Sequence, residues 1–429
     1  MKGNKFNNIL RSFAEYNFEG LKSFSEPTME HFSENSLEAG AEFLQESTNF
    51  CDGISKSASS FLPSKEKLAK RQIRELVGKT VEDIPVVIGT HPDFKELEAG
   101  GTENHYIVSV FVDIKGSTEL SLKLDSLNDV KLFKDKLITT VIEIFTAFDG
   151  HIHRLQGDAV FAFFGGKKVR KSHAIVDALN AATLLQEYCD KQINPTFRSR
   201  GFPELKIRVG IDFGDDDEVL WAKYGIENCT EVTTTSLHTD LAAKLQNKAP
   251  ENGIMIGDNV KQFLDLPDEF YVDEVNYILD IPEKKYKMWQ FNWIKYLPRF
   301  LFYPQRFDSG IYKAGIDFQF KCFYKKEKDM EWKEYYPNTA PLVKNCLLDF
   351  RLSGIKFTYY KIRWYVNNRG KEAIVGEDAL DFEMEENRDK ETCFQATVYT
   401  GHHYMKCVIL DYNDLVLANE FIGIYINDN

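Results

Sequence analysis

Apolar positions along this chain change their period several times, and each change predicts an element. Tyr106 opens the run YIVSVFVDI, which reads as an apolar strand. Val130, Phe133, Leu137, Val141, Ile144, Phe145 and Phe148 then recur at helical spacing. That helix is expected to stop at Asp149-Gly150, where glycine tolerates the left-handed conformation of a helix end. HIHRLQ and AVFAFF are short apolar segments hinged at Gly157-Asp158 and predict a hairpin. A second helix is predicted with Ser172 as N-cap, Ile175, Leu179, Ala182 and Leu185 on one side, and an end before Asn194-Pro195. KIRVGIDFG follows as a strand. The order strand, helix, hairpin, helix, strand predicts an α+β fold of the ferredoxin-like βαββαβ kind, which hosts many functions and decides none alone.

Beyond that core, EVLWAKY reads as a strand, TSLHTDLAAKLQ as a helix, and GIMIG and KMWQFNW as strands, extending the domain to about Trp293. Aromatic and β-branched residues then dominate, as in KFTYYKIRWYVNN and YMKCVILDY, and predict a separate β-rich C-terminal domain. The first hundred residues are polar and helical in pattern, with a Ser-rich stretch at 55–64 and the charged run KEKLAKRQIREL. The expected division is therefore a helical lead-in over 1–103, an α+β unit over 104–293 and a β-rich domain over 294–429, reasonable for 429 residues.

Composition narrows the function classes. With 43% hydrophobic and 14% aromatic residues, each part has enough apolar side chain to bury a core. The formal net charge of −13 argues against a general nucleic-acid or anionic-membrane binder, both of which need a basic surface. No apolar run reaches a membrane span, and the polar start lacks a signal-peptide core, so a cytoplasmic location is expected. Seven scattered cysteines without a CxxC pair read as reduced residues, neither a disulfide frame nor a zinc site.

Two acidic residues stand where chemistry wants them. Asp113 closes an apolar strand, and Asp158 sits at the hairpin tip that a ferredoxin-like sheet lays beside that strand. Two carboxylates on a rigid edge suit hard divalent ions, which prefer oxygen and keep open positions for phosphate. Taken singly, each is as well explained as a cap or a turn residue.

The combination resembles a family. FVDIKGST is similar to the first metal motif of class III adenylate and guanylate cyclases, RLQGDAVFAFF to the second, IRVGIDFG to the central strand and TTTSLHTDLAAKLQ to the transition-state helix. The resemblance spans about 106–293 with all four motifs in order. It implies two divalent ions, Mn²⁺ or Mg²⁺, held by Asp113, Asp158 and the carbonyl of Ile114. It also implies triphosphate contacts from Arg208 and from the backbone amides of Lys115, Gly116, Ser117 and Thr118, although Arg208 can equally be a strand arginine in a surface ion pair. A homodimer with shared active sites is expected, each subunit supplying what the other lacks.

Other matching positions depart from the purine enzymes. Where those carry a base-reading lysine this chain has Arg154, with Thr233 as the partner base-reading position. Arginine presents donors only, serving O2 and N3 of cytosine or O4 of uracil. On the helix, the family's asparagine and arginine become Asp240 and Lys244, expected on one face, either as catalytic groups or as a plain ion pair. These departures resemble the pyrimidine cyclases of bacterial Pycsar anti-phage systems. That likeness implies CTP or UTP as substrate, cyclic CMP or cyclic UMP as a second messenger, and an effector encoded nearby. The C-terminal region is similar to the sensor-like domain behind some cyclases and nucleotidyltransferases, with a dimer-stabilising module as the alternative. An adenylate or guanylate cyclase, disfavoured by Arg154, and a non-catalytic nucleotide sensor, disfavoured by retention of both aspartates, remain open.

Overall fold

The computed structural model describes residues 8–11, 65–81, 86–124, 126–226, 229–272, 276–282, 284–299, 318–327, 330–379, 383–388 and 391–428. Most of the expected lead-in, the Ser-rich stretch included, lies outside them. Within it, KEKLAKRQIREL forms helix α1 (Lys65–Leu76).

The α+β unit is built on β1 (Thr102–Asn104), β2 (Ile107–Ile114), α2 (Ser117–Lys123), α3 (Leu127–Ala147), β3 (His151–Gln156), β4 (Ala159–Phe164), α4 (Lys171–Tyr188) and β5 (Ile207–Gly214). It continues through β6 (Leu220–Ile226), β7 (Cys229–Thr235), α5 (Leu237–Lys248), β8 (Gly253–Gly257), α6 (Asp258–Leu264), β9 (Asn276–Ile281) and β10 (Lys284–Phe291). One sheet of seven strands runs β3-β4-β2-β5-β8-β10-β9, and its first four strands have the ferredoxin-like order. Only β5 and β8 pair in parallel; the other neighbours are antiparallel. β2 lies central, with Val108, Val110 and Val112 fully buried on the face toward α3 and α4, while Ser109 and Asp113 lie on the other. A second sheet, β1-β6-β7, is the hairpin after β5 joined to β1.

Four local expectations are corrected. The left-handed residue ending α3 is Asp149 (φ 63°), held by Arg74 and Lys79, whereas Gly150 is needed for space: a Cβ there would meet Phe164 at 2.6 Å. The N-cap of α4 is Arg170, and Ser172 lies buried inside the helix. The chain stays helical past Asn194-Pro195 through a wider turn, Cys189–Ile193, into a short helix Asn194–Ser199, because proline is tolerated in a first turn. The boundary after residue 103 cuts β1, which pairs with β6; Phe94 upstream stacks on Trp221 at 3.9 Å, so the α+β unit starts earlier.

C-terminally, β11 (Gln319–Lys325), β12 (Lys333–Tyr335), β13 (Leu347–Ser353) and β16 (Thr392–Ala396) form one antiparallel sheet. β14 (Lys361–Asn367), β15 (Glu383–Arg388), β17 (Gly401–Leu410) and β18 (Val416–Ile426) form another, with Phe320, Phe350, Trp364 and Ile424 in the core they share. This β-rich domain docks on α4: Asn180 donates to the Asn338 carbonyl at 2.9 Å and accepts from the Tyr296 hydroxyl at 2.8 Å. Tyr425 of β18 donates to Tyr296 at 3.1 Å and joins the core of the α+β unit. Among the described residues every cysteine is free, and no helix is long and apolar enough to cross a membrane.

Candidate active site

Ladder geometry brings the expected metal ligands together. Lys115 N–H donates to the Lys206 carbonyl at 2.8 Å, which makes Lys115 and Asp113 the positions of β2 that bond to β5. The Ile114 carbonyl therefore points the other way, toward β4, and extending the Val112–Val160 register by two residues sets Ile114 opposite Asp158. The same bond corrects one expectation: the Lys115 amide is spent inside the sheet, leaving those of Gly116 (φ 75°), Ser117 and Thr118 at the loop.

Asp113 and Asp158 are close enough to interact. Burial pushes the Asp113 carboxyl above its usual range, a hydrogen bond from Arg208 pulls it back, and the charge of Asp158 pushes it up again, for a net rise. Arg208 reaches Asp113 Oδ2 at 2.7 Å and Gln246 of α5 reaches the same oxygen at 3.2 Å. Two polar atoms in this cluster are buried without a hydrogen bond, Asp158 Oδ2 and Arg208 Nε. An orphaned carboxylate oxygen beside a second, repelled carboxylate is a site short of positive charge. These donors fit a hard divalent ion. No group of three or more His, Cys, Asp or Glu gathers among the described residues, this site included, so further ligands here would be carbonyl, water or phosphate oxygens.

A second cluster forms around Arg154. β3 bulges between Ile152 and Arg154, turning His153 inward and leaving Arg154 outward and half-exposed. Arg154 Nε donates to Glu231 Oε1 at 3.0 Å and its terminal nitrogen contacts the same oxygen. Glu231 is thereby held below its usual range, chiefly by that hydrogen bond. Thr233, two residues on along β7, lies 3.1 Å from His153 Nε2. Arg154 and Thr233, predicted as a pair, are thus linked through Glu231 and His153, which were not. Glu231 follows only once CTEVTTT is taken as a strand, which puts it on the face of Thr233; the bulge that recruits His153 leaves no mark in the sequence.

Between the clusters runs α5, capped by Ser236, whose Oγ accepts from His238 N at 3.2 Å. Leu241 and Leu245 are fully buried while Asp240 and Lys244 are exposed, as the spacing predicts. No ion pair joins Asp240 to Lys244 among the described residues, and no hydrogen bond connects the Asp113 cluster to the Arg154 cluster.

A ferredoxin-like sheet with two carboxylates meeting beside its central strand is the layout that the resemblance to class III nucleotide cyclases implies. The sequence is 44% identical over 385 residues to a cytidylate cyclase of Staphylococcus aureus, covering 86% of this chain and 89% of the relative. It is 30% identical over 453 aligned positions to a cytidylate cyclase of Escherichia coli, covering 96% and 98%. The chain belongs to this cytidylate cyclase family and is a nucleotide cyclase. Residues 299–427 match the Adenylyl/Guanylyl and SMODS C-terminal sensor domain. Among solved structures it is similar to the adenylyl cyclase CyaB of P. aeruginosa, at 19% identity and a TM-score of 0.38, over 44% of this chain and 95% of that one.

Proposed function

We propose that this protein is a pyrimidine nucleotide cyclase: it closes the ribose 3′-oxygen of CTP, or of UTP, onto its own α-phosphate and releases pyrophosphate. The observation that carries the reading is the paired aspartates with an orphaned oxygen, set in a chain whose extended relatives are named cytidylate cyclases. Asp113, Asp158 and the Ile114 carbonyl would hold two divalent ions, Mg²⁺ or Mn²⁺. Such ions lower the pKa of the 3′-hydroxyl and neutralise charge on the α-phosphate. Arg208, relieved of Asp113 once that carboxylate is ligated, turns its fork to the triphosphate, and the amides of Gly116, Ser117 and Thr118 flank it. Lys244 offers a point charge to the transferring phosphate. Asp240 either orients Lys244 or binds the ribose, and Arg154 with Thr233 reads the base.

No hydrogen bond or ion pair links the two clusters among the described residues, in keeping with a homodimer in which the metal ligands of one subunit face Arg154, Thr233, Asp240 and Lys244 of the other. We read the cyclic product as a cytoplasmic second messenger of anti-phage defence acting on an effector encoded nearby, with the C-terminal domain as sensor. The test is to incubate the purified protein with each of the four ribonucleoside triphosphates and Mn²⁺ and identify products by mass. A cyclic pyrimidine monophosphate is expected; better turnover of ATP or GTP would refute the pyrimidine assignment and leave the cyclase standing.

A further inference from the structure

The Arg154 cluster fixes where its protons point, and that bears on the choice between cytosine and uracil. The Gly89 carbonyl can only accept, and His153 Nδ1 lies 2.9 Å from it, so Nδ1 carries the ring proton. Burial lowers the His153 pKa, the carbonyl bond and Glu231 notwithstanding, which favours the ring protonated at Nδ1 alone, with Nε2 accepting although it also lies 3.4 Å from Glu231 Oε1. With the ring in that form, Thr233 Oγ1, 3.1 Å from that nitrogen, donates its single proton inward. What Thr233 offers a ligand is lone pairs only. Glu231, on the same face of β7, can only accept as well, and Arg154 engages one of its oxygens.

We propose that Glu231 and Thr233 together accept from the 4-amino group of cytosine while Arg154 donates to the ring edge beside it, and that this arrangement selects CTP over UTP. The proposal rests on the pyrimidine reading above. Cytosine presents an amino group with two hydrogens, then two adjacent acceptors, N3 and O2. Two acceptors and a planar donor fork satisfy all of them, and a carboxylate is a suitable partner for the cytosine amino group. Uracil presents a carbonyl at position 4, which would face two acceptors. Its one ring donor, N3–H, separates its two acceptors, so a fork cannot take both while Glu231 takes the proton between them. Mismatched polar atoms at a closed site are what make hydrogen-bonding pockets selective.

The experiment measures kcat/KM with Mn²⁺ for CTP, UTP, ATP, GTP and the triphosphate of pyrimidin-2-one riboside, which keeps N3 and O2 but lacks the amino group. The unmodified protein should prefer CTP over UTP, and CTP over the pyrimidinone, by about 10- to 100-fold. Glu231→Gln, which swaps a carboxylate oxygen for a donor, should cut the CTP/UTP ratio at least about 10-fold, and Thr233→Val by roughly 5-fold. Neither should alter turnover of the pyrimidinone as strongly as that of CTP. An unmodified protein that uses the pyrimidinone or UTP as well as CTP overturns the proposal, and so do variants that lose all pyrimidines equally. Those results leave the pyrimidine reading intact, whereas a preference for ATP or GTP removes both. The analogue arm needs no variant to fold.

Discussion

Strand β5 carries a charged residue toward each end, Arg208 and Asp212, and each grips one end of α5, yet the two are satisfied in opposite ways. Arg208 bonds the Asn247 carbonyl near the end of α5 at 3.2 Å and the repelled carboxylate of Asp113, while its Nε is buried without a partner. Asp212, fully buried, has both oxygens occupied: Oδ1 accepts from the Tyr286 hydroxyl at 2.8 Å and from Phe213 N at 2.9 Å, and Oδ2 meets His238 Nδ1 at 3.1 Å. His238 in turn meets Glu218 at 3.2 Å. Even the space is committed, since a Cβ on Gly257 would fall 2.0 Å from Asp212 Oδ1. A buried polar network that closes on itself is scaffold; one that leaves atoms orphaned is waiting for a ligand.

The contrast yields four tests, taken from the largest effect down. Asp113→Ala or Asp158→Ala should lower cyclisation by about 1,000-fold or more, because a metal-holding carboxylate acts on transition-state charge worth several kcal/mol. The thermal midpoint should move little, and Mn²⁺ should no longer raise it; near-normal product from either variant would end the metal reading. Asp212→Ala should do the reverse, costing about 3–5 kcal/mol in urea unfolding because His238 and Tyr286 lose a buried partner. A fully stable Asp212→Ala protein would dissolve the distinction between scaffold and site.

Mixing inactive Asp113→Ala and Lys244→Ala chains should restore roughly a quarter of wild-type activity, since half the dimers are mixed and each has one intact site. Background activity after confirmed subunit exchange would refute shared sites. The smallest effect is on pH. Burial alone would lower the His238 pKa, but the hydrogen bond and charge of Asp212, with those of Glu218, outweigh it and hold the pKa above 6.5. Its contribution to stability is therefore complete below pH 6.5 and is lost as pH rises through the raised folded value. The other polar groups facing it are Asn259 and Tyr286, and burial pushes the Asp212 carboxyl itself upward. A thermal midpoint that declines above pH 6.5 is expected, flattened in His238→Gln; identical profiles would remove His238 from the account.

The strand and helix pattern was legible in sequence because α3 is long and strongly periodic and β2, β4 and β5 are apolar runs bounded by turn residues, and the Asp113–Asp158 meeting followed from their order. What escaped depends on contacts between distant segments. Nothing local says that Lys206 claims the Lys115 amide, or that Arg74 and Lys79 hold Asp149 in a left-handed turn so that the following glycine is spared for packing. The hairpin strand β7 was missed as a strand, and with it Glu231, because CTEVTTT has too few apolar residues to declare a period. Asp212 stood in plain view in IRVGIDFG, but its side-chain partners, His238 and Tyr286, come from residues 26 and 74 positions on.

Tyr425 has a consequence for the order of synthesis. It fills the catalytic core from β18 and bonds a tyrosine 129 positions earlier in the chain. At translation rates of about 5–20 residues per second, Tyr296 waits roughly 6 to 26 seconds after it leaves the peptidyl-transfer centre for that ring to be made. During the interval a newly made catalytic sheet has a gap the size of a phenol ring. Maturation of the cyclase is thereby timed by production of the β-rich domain, and no enzyme molecule acquires a fully packed catalytic core before the strand that links it to that domain exists.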